Sequence, residues 1–159
     1  MFESINQIWL TVTFLNKNNM EKLFVPYKIA KLLKKKGFDE PCLGYFPPLK
    51  TELTIWYNPE ITNQGEFILA PTHQQAVDWL LEKHNLDIHA HKMWHYSYNY
   101  EEKRMETFYQ VAVSDFTIDR EARDAHGDRK YIKYVSSTML KTYKEAIEDG
   151  ITWALKHIK

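Results

Sequence analysis

Residues 87–98 read DIHAHKMWHYSY and residues 105–117 read METFYQVAVSDFT, two stretches dense in aromatic and β-branched residues and free of Gly and Pro. Separated only by a short polar segment, they predict an antiparallel hairpin. With its tip at Glu101-Glu102, paired residues have numbers that sum to 203. On that register one face collects Ile88, Ala90, Trp94 and Tyr96 with Tyr109, Val111 and Val113, and this is the expected core face. The other collects His89, His91, Met93 and His95 with Phe108, Gln110, Ala112 and Ser114. Glu101-Glu102 supplies no residue suited to positive φ, so a loop of four or more residues is expected.

Three helices stand around this hairpin. The first spans about Pro26 to Lys36, with Ile29, Leu32 and Leu33 as its apolar stripe and Gly37 as the left-handed residue beyond its end. The second begins at Thr72, with Gln75 completing a capping-box pattern. Its stripe is Ala76, Val77, Leu80 and Leu81, and it ends near His84-Asn85. The third has Thr142 and Glu145 as its box and buries Tyr143, Ile147, Ile151, Ala154 and Ile158, with Gly150 placed for close approach to a sheet. Shorter strands are expected at Cys42 to Phe46, Leu53 to Tyr57 and Tyr131 to Ser136. The run TIDREARDAHGDRK, 117–130, is charged and aperiodic, so it is read as an exposed connection. Strands in hairpin-like pairs, not alternating singly with helices, make the class α+β: a single domain, with one antiparallel sheet packed against about three helices.

Composition bounds the function classes. The chain has 159 residues, 44% of them apolar, with Lys+Arg 21 against Asp+Glu 21. Zero formal charge argues against a surface built throughout for phosphate backbones. No stretch is apolar for long enough to span a bilayer, and the N-terminus lacks a basic region and cleavage site, so a cytoplasmic protein is expected. Cys42 is the single cysteine and cannot form an intrachain disulfide.

Five features are candidates for chemistry or binding. His89 and His91 lie on one strand face about 6.5–7 Å apart at Cα, within reach of one metal ion. The register brings only Gln110 and Ser114 to them and no carboxylate, so a solvated polar face is favoured over a metal centre and no cofactor is expected. Lys31, Lys34 and Lys35 point away from the apolar stripe of the first helix. With Lys28 and Lys36 they form the densest positive patch, suited to an acidic partner or nucleic acid. Trp79 sits about 130° from the centre of the second helix's stripe, a position for a partner contact or for cover by the N-terminal segment. His126-Gly127-Asp128, as an acid/base pair, and Cys42, as a nucleophile, are weighed and set aside. No Gly-rich phosphate loop, G-x-S-x-G elbow or H-E-x-x-H motif is present.

The segments LFVPYKIAKLLKKKGFDEPCLGYF (23–46), APTHQQAVDWLLEKHNL (70–86) and TYKEAIEDGITWALKHI (142–158), in this order, resemble a family of small uncharacterised proteins encoded in phages and prophages of Bacteroidetes. The resemblance covers residues 20–159. It leaves 1–19 as an N-terminal extension, either an added strand or an upstream reading of the start. It brings no activity or site residues with it. What it implies is a setting, a bacterial host cell, and a partner that is a host or phage protein. A non-catalytic binding or adaptor protein is therefore expected, with self-association left open. A nucleic-acid-associated protein using the basic helix is the alternative, and a metal-dependent enzyme using His89 and His91 the next.

Overall fold

A computed structural model describes residues 19–55, 66–98, 103–117, 132–136 and 138–158, with the side chains of 95–98 and 103–105 outside that description. The expected N-terminal extension thus lies outside it except for Asn19, as do His126 and Asp128. The class is α+β, with helices α1 (Tyr27–Lys35), α2 (His73–His84) and α3 (Tyr143–His157). The strands are β1 (Gly44–Phe46), β2 (Thr54–Ile55), β3 (Ile68–Ala70), β4 (Leu86–Tyr98), β5 (Lys103–Asp115) and β6 (Ile132–Val135). The expected antiparallel sheet is in fact two three-stranded sheets, ordered β2-β1-β3 and β4-β5-β6, all pairs antiparallel. Strands of two or three residues, interrupted by Pro47-Pro48, are too short to extend a hairpin with 13 residues in each arm. The chain groups into two compact units, Met1–His73 and Gln74–Lys159.

In the first unit α1 packs on β3. Helix α1 ends as its sequence dictates: Gly37 takes φ +88, Phe38 N–H donates to Leu33 O at 3.0 Å and Gly37 N–H to Lys34 O at 3.2 Å. These two bonds make a Schellman motif, sealed by the buried pair Leu33 and Phe38. The core adds Phe24, Val25, Ile29, Ala30, Phe46 and Leu69. Cys42 is buried there, and burial first, then the charge of Glu40, pushes its thiol up to about 12. It is an inert core thiol.

In the second unit α3 lies across β4 and β5. Its capping box forms as expected: Thr142 Oγ1 accepts from Glu145 N–H at 3.1 Å, and Glu145 Oε2 accepts from Thr142 N–H at 3.1 Å. Ala146, Ile147, Gly150, Ile151, Ala154 and Leu155 are its buried face. Tyr143, expected in the core, is instead 56% exposed and meets Tyr109 edge-on. It is the first residue of the helix, directly after the Thr142 cap. Helix α2 buries Ala76, Trp79 and Leu80, a stripe rotated about 80° from the expected one at 100° per residue. The large ring of Trp79 outweighs Val77 and Leu81, both half-buried. Asn85, at φ 55, closes α2, and its carbonyl accepts from Phe116 N–H at 2.9 Å.

Candidate functional site

The β4–β5 ladder runs unbroken from Leu86↔Asp115 to Tyr98↔Lys103, so paired numbers sum to 201. This is two fewer than the expected 203. A slip of two preserves the faces, because side chains alternate with period two. Ile88, Ala90, Val111 and Val113 therefore face α3 as expected, with Ile88, Val111 and Val113 buried. Four residues, 99–102, separate the paired ends.

The core face stops half-way along the hairpin. Helix α3, 15 residues, is about 22 Å long, whereas 13 residues of strand extend about 44 Å. One helix cannot cover the whole ribbon. Beyond it, Trp94, expected in the core, is 62% exposed, and Met93 on the opposite face is 41% exposed. His91, Lys92, Glu106 and Thr107 are exposed beside them. Half-buried Tyr109 and exposed Tyr143 continue the apolar surface from Trp94 on the α3 side.

The backbone at this edge is also defined. Tyr109 N–H donates to Leu140 O at 2.8 Å and Tyr109 O accepts from Leu140 N–H at 3.2 Å. Val111 N–H donates to Ser136 Oγ at 3.1 Å and Val111 O accepts from Ser136 N–H at 2.9 Å. Both residues thus turn their backbone groups away from β4. Their partners Lys92 and Ala90 sit in non-hydrogen-bonded pairs, with N–H and C=O directed to the outer edge of β4. Ile88 and Trp94 follow by alternation.

On the other face the rings of His89 and His91 lie 6.2 Å apart at their centroids, tilted by 38°. A carboxylate does share that face: Asp87 forms an ion pair with His89 through Oδ2 and Nε2. The signal is the spacing Asp-x-His-x-His along one strand, which a cross-strand register does not show. Gln110 Nε2 donates to Ser136 O at 3.1 Å and so is turned to the chain rather than to the histidines. Among the described residues no group of three or more His, Cys, Asp or Glu is arranged to hold a metal ion.

The remaining candidates separate. Trp79 is 3% exposed, its ring 4.8 Å from that of His84, so it is a core residue and not a contact surface. Lys34 is half-buried and donates to Phe67 O at 2.7 Å, tying α1 to the start of β3. Lys31 and Lys35 are exposed, together with Lys28, on a helix that carries no acidic residue. The charged patch is thus narrower than its sequence suggests.

No family model, curated protein or solved structure matches this chain. Among the described residues no helix is long and apolar enough to cross a membrane.

Proposed function

We propose that this chain is a non-catalytic binding or adaptor protein, of phage or prophage origin as its resemblance implies, acting on a host or phage protein in the bacterial cytoplasm. The observation that carries this is Trp94, 62% exposed in the middle of a strand, with Met93 exposed on the other face. A tryptophan on a regular strand gains nothing by standing in water, and such residues dominate the energy of protein contacts when desolvated. The distal half of the β4–β5 hairpin is the contact surface, a ribbon whose rigidity comes from the ladder and whose base is anchored under α3. The alternative, nucleic-acid association through α1, draws support only from Lys28, Lys31 and Lys35. Three cations give a shallow dependence of affinity on salt and little affinity. The metal-dependent alternative meets His89 already engaged by Asp87.

The test is affinity capture from a bacterial host lysate with the full chain and with Trp94→Ala. A protein retained by the native chain and lost with Trp94→Ala supports the proposal. An unchanged set of retained proteins contradicts it.

A further inference from the structure

We infer that the outer edge of β4 pairs with the same edge of a second copy of this chain, in antiparallel register about a twofold axis through Met93. The inference rests on the distal hairpin being a contact surface and adds a second copy at its edge, leaving the sheet face that carries Trp94 to the host or phage protein. Three observations lead to it. Trp94 and Met93 are exposed on opposite faces of one strand. A partner laid on either face covers only one of them, whereas an added strand places cross-strand neighbours beside both. The backbone groups of Ala90 and Lys92 point outward, and among the described residues β4 is the outer strand of its sheet. This edge also lacks the usual guards. Leu86–Tyr98 contains no Pro or Gly and its ladder to β5 has no bulge, which leaves Lys92 as the sole cation apart from histidines.

The occupant follows from self-complementarity. A hydrogen-bonded pair needs outward-facing residues on both strands, so even-numbered residues must meet even-numbered ones. Centring the axis on Lys92 sets two ammonium groups directly opposite each other, which is unfavourable. Centring it on Met93 pairs each Lys92 with the copy's Trp94, so that the ammonium group approaches the exposed indole twice. The two Met93 side chains then meet at a non-hydrogen-bonded pair, where side chains are closest. Pairing extends over 88–98 in both chains and builds a six-stranded sheet with both α3 helices on one side.

Sedimentation equilibrium of the full chain should give an average mass that rises with concentration from the 19.0 kDa of one chain toward twice that value. Lys92→Pro removes an outward N–H without touching the β4–β5 ladder, and should return the mass to that of one chain. Met93→Cys provides an independent reading. Under mild oxidation it should form a disulfide-linked dimer, because Cα atoms at such a pair lie within disulfide range, while Thr107→Cys on the adjacent strand should not. A single-chain mass at every concentration overturns the inference, as does a dimer whose Met93→Cys form does not cross-link. A single-chain mass together with a captured protein that Trp94→Ala loses overturns the dimer alone and leaves the binding proposal standing.

Discussion

Gly150 of α3 rests directly on Val111 of β5: a Cβ added to the glycine would stand 2.8 Å from Val111 Cγ2 and 2.7 Å from Ile88 Cγ2. Both contacts are with γ-methyls of β-branched side chains in the core, which have little rotamer freedom. Gly150→Ala gains about 1 kcal/mol in helix propensity but overpacks the helix–sheet contact at about 1–3 kcal/mol. We expect a net loss of about 1 kcal/mol by urea denaturation. Adding Val111→Ala should cost less in the Gly150→Ala background than in the native one.

The two tryptophans Trp79 and Trp94 should behave oppositely. Trp79→Ala leaves a cavity at a buried ring and should cost about 3–5 kcal/mol. Trp94→Ala should change the stability of the single chain by no more than about 0.5 kcal/mol. Comparable losses for the two in thermal denaturation, measured at concentrations low enough that the chain is single, would contradict the burial of one and the exposure of the other.

This contrast also marks how far the sequence was legible. Local rules carried a long way: the capping box of α3, the left-handed Gly37 and the close approach at Gly150 are each set by residues within a turn or by a missing side chain. The two faces of the hairpin could be read because period-two alternation survives a register slip of two. What failed depended on distance. That Trp94 falls beyond the reach of α3 follows from comparing helix and strand lengths, not from its alternation. Counting apolar residues misplaces Trp79, because it gives Val77 and Leu81 the same weight as a ring of far greater area. Asp87 is the exception to distance: it reaches His89 only two residues along the same strand, a contact that cross-strand pairing does not show.

Alkaline titration should expose Tyr134. Its hydroxyl donates to Asp149 Oδ2 at 2.8 Å, while its ring stacks on Trp153. Burial first, then that hydrogen bond and the carboxylate charge, raise its pKa from 10.0 to about 12. Between these values the folded chain keeps a proton that the unfolded chain has lost. The contribution of this group to stability is therefore complete below pH 10 and lost as pH rises toward 12. Cys42 acts in the same direction from 9.0 to about 12. Tyr134→Phe should flatten the loss of thermal stability in the upper part of this range. Parallel pH profiles for native and variant chains would contradict the assignment.

The Asp87–His89 pair should matter little to folding. The His89 side chain is 53% exposed while that of Asp87 is 13% exposed, and a pair with one member open to water contributes about 0–1 kcal/mol. Asp87→Asn should therefore shift the urea midpoint only slightly, and less still in high salt.

Amide hydrogen exchange along β4, followed by NMR at low and high protein concentration, reads the edge itself. The N–H groups of His91 and Met93 bond to β5 and should be protected at both concentrations, whereas those of Ala90, Lys92 and Trp94 point outward. We predict that these three exchange freely in dilute solution and become protected as concentration rises. Rapid exchange of Ala90, Lys92 and Trp94 at every concentration would contradict pairing at the β4 edge.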